Sequence, residues 1–165
     1  MNMEARVASE DQLVRLLQVG VVLEEVFEAR AEQHYRDLSE RDRETVGNEV
    51  VALLTEAREE SAEHRRRLEA LIDDLDAETI AFDRIQTLVA EQYGETKPDD
   101  FDGLLYDQLH SEESAYKFYD DLLEGIENSD AEFGVSRERL LETLEAIREE
   151  EAEGVERVTR LMEQE

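Results

Sequence analysis

Cysteine is absent from this 165-residue chain. That excludes disulfides, thiolate nucleophiles and cysteine-held zinc, iron-sulfur or rubredoxin-type centres, so any metal must sit on oxygen and nitrogen. Lysine is nearly absent too: Lys97 and Lys117 are the only two among 18 basic residues, against 46 acidic ones and a formal charge of -28. A field of that sign repels nucleic acid and anionic membrane surfaces. Scarce lysine on so acidic a chain points to a salt-rich cytoplasm, where counter-ions screen the self-repulsion. Long apolar runs are missing. The longest, Val19 to Leu23, falls far short of a membrane span, and the N-terminus has no basic, apolar, small-residue series of a secretion signal. The expectation is a cytoplasmic protein with neither nucleic acid nor membrane as partner.

Proline occurs once, at Pro98, and strand-like alternation is missing, so few positions resist a helix. Hydrophobic residues still make up 40% of the chain and recur at helical spacing, which separates it from an acidic disordered tail. The length suits one domain. The first helix opens at Ser9, with Gln12 three residues on as a capping box, and carries Leu13, Leu17, Val21, Ala31, Tyr35 and Leu38 on one stripe. Its expected end is Gly47-Asn48. The second runs to about Leu75 on Val50, Leu53, Ala57, Leu68 and Leu71. A long connection over 76–100 follows, helical in pattern from Ile80 to Tyr93, as expected of a crossover running back along a bundle. A third helix spans about Phe101 to Ile126. The fourth, capped by Ser136, runs from about Arg137 to Met162 on Leu140, Leu144, Ile147, Val155, Val158 and Leu161. The expected fold is all-α: a four-helix bundle of two hairpins, about 9–75 and 101–164, joined by the crossover.

The halves repeat each other. At a shift of 84, Glu28, Ala31, Tyr35, Asp37 and Leu38 fall on Glu112, Ala115, Tyr119, Asp121 and Leu122, so each half carries Glu-x-x-Ala-x-x-x-Tyr. At a shift of 90, the segment from Arg58 to His64 falls on that from Arg148 to Gly154.

In a chain this acidic, a carboxylate is informative only where it interrupts an apolar stripe. His64 does so between Ala57 and Leu68, beside Ser61, and Glu151 between Ile147 and Val155. Glu28 and Glu112 lie on the stripes that end in the two tyrosine segments. A buried unpaired carboxylate costs several kcal/mol, so each should be paired, protonated or bound to a cation. Depth agrees: Glu28 and His64 are centred on Val46, and Glu112 and Glu151 between Ala131 and Glu132. Each hairpin therefore brings two candidate ligands level, at about 27–29 Å from its turn by helical rise. Bundles of this kind hold two irons or manganeses with one Glu from each of two helices and a Glu-x-x-His pair from each of the others, and hard carboxylates with imidazole suit those ions.

The Glu-x-x-Ala-x-x-x-Tyr segments and the run from Ser61 to Leu68, with His64 at its centre, resemble the rubrerythrin branch of the ferritin-like superfamily, and the likeness covers all four helices. It implies that Glu28 and Glu112 take the places of the lone glutamates, His64 that of one histidine, and Glu151 that of one bridging glutamate. It also implies ferrous-iron oxidation or peroxide reduction, with a separate electron donor because the cysteine-bearing domain is missing. Homodimers or larger homo-oligomers are common in that group. The match departs at Ser61, where the other bridging glutamate belongs, at Gly154, where the second histidine belongs, and at Ala115, where a further carboxylate can stand. The surviving set of Glu28, His64, Glu112 and Glu151 suits a single iron or manganese, an asymmetric pair or a remnant site. Glu24 and Glu60 are the acids nearest the gap, although Glu60 is rotated about 100° from Ser61 around the helix. In the alternative reading the four residues only hydrogen-bond, and the bundle is a metal-free structural or interaction module. Tyr35 and Tyr119 read as core aromatics bonding the inner carboxylates. His34 and His110 read as surface or interhelical residues, and Arg65 to Arg67 as a solvated face paired with nearby glutamates.

Overall fold

The computed structural model describes residues 6–75, 77–93 and 101–163. They are all-helical, without a strand among them: α1 Glu10–Asp37, α2 Glu40–Asp74, α3 Phe82–Tyr93, α4 Phe101–Glu127 and α5 Arg137–Glu163. Pro98 and the whole stretch 94–100 between α3 and α4 lie outside the described residues, so of the expected crossover over 76–100 only the part through α3 is described.

Local chemistry sets the ends. The Ser9 hydroxyl accepts from the Gln12 amide, and Gln12 in turn accepts from the Ala8 amide, which starts α1. The Ser136 hydroxyl accepts from the Arg139 amide to start α5. Where the sequence pattern runs one helix on to Gly47-Asn48, the structure ends α1 at Asp37 and begins α2 at Glu40. The cause is a capping box: Ser39 accepts from the Asp42 amide at 3.0 Å and donates its own amide to the Asp42 carboxylate at 3.3 Å. This arrangement satisfies two otherwise unpaired donors at once. The opening turns of α2 are exposed or half-buried wherever their side chains are described, and full burial begins at Val50. Contacts between α1 and α2 are accordingly centred near residues 44–47, as the pairs Glu24–His64 and Glu28–Arg65 show.

α1 packs antiparallel on α2, α4 packs on α5, and α3 lies against α1. Gln18 anchors the approach to α3 by bonding both the amide and the carbonyl of Ile80. At the other hairpin, Arg137 donates to the carbonyls of Ile126 and Ala131, closing the 128–136 loop over the end of α4.

Two apolar clusters result. The larger draws Leu13, Leu17, Val21 and Phe27 of α1, Leu68 and Leu71 of α2, Ile85 and Val89 of α3, Leu122 and Ile126 of α4, and Leu140, Leu144 and Ile147 of α5 into one core. Each large side chain buried there contributes about 1.5–3 kcal/mol. The smaller joins Leu38, Val50, Leu53 and Leu54 to Leu104, Leu105 and Val158. Between them lies a buried polar layer: Glu24, His34, Ser61, His64, Asp107, Gln108, Ser111, Glu112 and Glu151. Gly20 lets the helices close above it, since a Cβ there would stand 3.1 Å from both Leu68 and Phe118.

Candidate metal centre

Four helices each supply a group to the polar layer. Glu24 comes from α1, His64 from α2, Glu112 from α4 and Glu151 from α5, all buried, with Glu24 and His64 fully so. His64 Nδ1 lies 3.0 Å from Glu151 Oε1 and 3.4 Å from Glu24 Oε1. The Tyr119 hydroxyl donates to Glu24 Oε1 at 2.5 Å. One ligand atom each from Glu24, His64 and Glu151 fall within 4.8 Å of one another, the spacing of donors around one metal ion.

Glu112 completes the group through Gly154. A Cβ at position 154 would stand 2.6 Å from Glu112 Oε2 and 2.9 Å from its Cδ. The carboxyl group of Glu112 thus fills the space that any side chain at 154 would need. The histidine that the resemblance calls for at this position has no room unless Glu112 moves. Gln108 donates to Glu112 Oε1 at 3.2 Å.

Crowding carboxyls in a dry core keeps protons on them. Burial, then the charges of Glu24 and Glu112, push the Glu151 carboxyl well above the usual range. Burial likewise raises Glu112, which shares a hydrogen bond with Glu151. For His64, burial disfavours the charged ring, but the hydrogen bond and charge of Glu24, then Glu60 and Glu150, outweigh it and raise the imidazole. Burial and the charge of Glu24 hold the Tyr119 hydroxyl protonated far beyond neutrality.

Two buried polar atoms of this group make no hydrogen bond, Glu24 Oε2 and His64 Nε2. Each costs roughly 1–3 kcal/mol unless a partner arrives. The donor set, carboxylates with one imidazole and no sulfur, fits iron, manganese or zinc.

On the other side of the ring, Nε2 faces Glu150 Oε2 at 3.6 Å and Glu60 Oε1 at 3.9 Å. Arg67 binds Glu150 through two nitrogens, and Arg157 reaches Glu60 and Glu56. Burial pushes the Glu60 carboxyl up to about 7, with His64 acting against it.

The polar layer continues past Gln108. His34 is interhelical and buried rather than a surface residue, with Nδ1 2.9 Å from Gln108 Oε1 and Nε2 2.8 Å from Asp107 Oδ2. Because the Gln108 amide nitrogen is turned to Glu112, its oxygen accepts from His34, which fixes Nδ1 as a donor. His110 is exposed.

Of the four residues singled out from sequence, the structure brings His64, Glu112 and Glu151 together and leaves Glu28 aside. Glu28 lies one turn from Glu24, with its side chain 27% exposed and bound by Arg65 at 2.9 Å. Glu24 takes the inner place because it lies level with His64, whereas Glu28, one turn on, lies level with Arg65 and pairs with it. At the shift of 84, Glu24 corresponds to Gln108, so the site takes the earlier acid of one copy and the later acid of the other. Glu24 and Glu28 share one helical stripe, and periodicity alone does not separate them. Tyr119 bonds an inner carboxyl as expected, whereas Tyr35 packs half-buried at the smaller cluster. Arg65, Arg66 and Arg67 pair with Glu28, Glu63 and Glu150, as a solvated basic run should. Among the described residues no helix is long and apolar enough to cross a membrane. No protein-family model, curated protein or solved structure matches the chain.

Proposed function

We propose that the chain is a metal-binding four-helix bundle of ferritin-like type, in which residues 76–100 cross over between the hairpins and Glu24, His64, Glu112 and Glu151 hold an iron or manganese ion. The observation that carries this reading is the convergence of buried carboxyl groups from three helices on one imidazole, with Glu24 and Glu151 at its Nδ1 and Glu24 Oε2 left without a hydrogen bond. A bound iron would supply a centre for ferrous oxidation by dioxygen or peroxide, or for peroxide reduction with electrons from an external donor. The protein's own share is to give up the protons of Glu112 and Glu151 as a cation enters, to orient Glu24 through Tyr119, and to exclude bulk water with the apolar clusters on either side. Glu28 joins the set only if its ion pair with Arg65 opens.

Metal analysis of protein grown with added iron and manganese tests this, comparing the wild type with Glu24→Ala/His64→Ala. The wild type should retain metal that the variant lacks. A ligand held only by the folded state at 100 times its Kd adds about 2.7 kcal/mol of stability, so chelation should lower the thermal midpoint. Equal, negligible metal in both proteins would sink the reading. The second reading, a metal-free structural or interaction module, draws on the hydrogen bonds from Tyr119 to Glu24 and among His64, Glu151 and Glu112, which hold the layer together without an ion. Under it chelators leave the midpoint unchanged.

A further inference from the structure

The two nitrogens of His64 face opposite carboxyl groups. Nδ1 faces Glu151 Oε1, with which it bonds, and the Glu24 Oε1 that already accepts from Tyr119. With Nδ1 as the donor, the neutral ring carries its lone pair on Nε2. That atom is buried and makes no hydrogen bond. A histidine that donates one ring N–H to a carboxyl and keeps the other nitrogen free has the tautomer and orientation of a metal ligand.

The surroundings of Nε2 match that role. Glu150 Oε2 at 3.6 Å and Glu60 Oε1 at 3.9 Å are too distant for hydrogen bonds. Ligand atoms bound at ~2.1 Å to one divalent ion stand roughly 3.0–3.5 Å apart, close to these separations. Glu60 lies four residues before His64, on the same face of α2, while Arg67 and Arg157 hold the two carboxylates in place from the solvent side. The side chains of Glu60 and Glu150 are 16% and 31% exposed, against 0% and 5% for Glu24 and Glu151.

We propose that His64 Nε2, Glu60 and Glu150 form a second, outer position for a divalent cation of the manganese, iron or zinc class, and that this position fills before the inner one. It fills first because Nε2, the nitrogen without a hydrogen bond, already faces it and because the ion arrives from solvent keeping part of its water. Use of the inner group requires the ring to change tautomer. The inference shares the imidazole with the inner group and so rests on the reading of this core as a cation centre.

Titration of the full chain with Mn2+ tests it, followed by the paramagnetic signal of the free ion and by calorimetry, in salt that screens the surface carboxylates. Three proteins are compared: wild type, Glu60→Gln/Glu150→Gln, and Glu24→Gln/Glu151→Gln. The outer variant should lose at least tenfold in affinity for the first equivalent, and the inner variant should keep that equivalent. Wild-type affinity in the outer variant with loss in the inner one overturns the outer position while leaving the cation centre standing. Absence of Mn2+ binding by all three proteins overturns both. If the outer double variant does not fold, Glu150→Gln alone, on the more exposed side chain, must show the same loss.

Discussion

Replacing Gly154 by alanine should change the sign of its effect with the residue at position 112. In the middle of α5, glycine is about 1 kcal/mol worse than alanine, so Gly154→Ala on its own helix should stabilise by about that amount. The new methyl group, however, would fall 2.6 Å from Glu112 Oε2, 2.9 Å from Cδ and 3.3 Å from Oε1. The two contacts under 3.0 Å do not persist, so the carboxyl group must shift from its place, at the expense of the bond from Gln108 and the one shared with Glu151. A buried polar group left without its partner costs about 1–3 kcal/mol. Set against the helix gain, the net expectation is a loss of up to about 2 kcal/mol in the wild-type background. In Glu112→Ala the obstacle is gone, and the same substitution should gain about 1 kcal/mol. Urea unfolding in chelating buffer measures both, read as a shift in midpoint at constant slope, and the four proteins form a double-mutant cycle. Stabilisation of similar size in both backgrounds would show that Glu112 does not occupy the space beside Gly154, and the assembly of the polar layer would have to be redrawn.

The metal-free protein should lose stability as pH rises from 5 to 8. Glu60, Glu112 and Glu151 have folded values above the ordinary carboxyl value of 4.5, Glu60 at about 7. Their favourable contribution is fully present below 4.5 and is lost as pH rises through the raised values. His64 acts with the same sign, contributing fully below 6.5 and less above its raised value. Thermal melts in chelating buffer across that range check this, and Glu151→Gln should flatten the slope; a midpoint that climbs with pH would refute it. Added Mn2+ should oppose the fall, because its ligands must be deprotonated to bind. Tyr119→Phe removes the donor to Glu24 Oε1 and leaves a fully buried carboxyl with less support, so unfolding free energy should drop by about 1–3 kcal/mol. A change below about 0.5 kcal/mol, the level of an uneventful surface substitution, would mean that the Tyr119–Glu24 bond does not form in solution.

The helical hairpins were legible because their signals are local. Stripes at Leu13, Leu17 and Val21 or at Leu140, Leu144 and Ile147, and caps at Ser9 and Ser136, act within a few residues of themselves. His64 and Glu151 were equally legible, since a polar group inside an apolar stripe marks burial whatever packs against it. Ser39 with Asp42 is an equally local capping box, yet the apolar stripe continuing to Leu38 masks it, and the pattern alone carries α1 about ten residues past its end at Asp37. The acids of the inner set were harder. Whether Glu24 or Glu28 turns inward, and whether Glu60 reaches the ring, depends on the register of α2 against α1, which is set by packing over distances that no local pattern records.

By itself, then, the sequence determined an all-helical chain with a polar layer between apolar stretches, because hydrophobic period, caps and the exclusion of cysteine are properties of residues and their near neighbours. Only the tertiary structure decided which carboxyls meet His64. Across the α1–α2 pair Glu24 lies level with His64, while Glu28 turns to Arg65. The bare backbone at Gly154 admits Glu112 from the facing helix, where the resemblance alone would place a histidine.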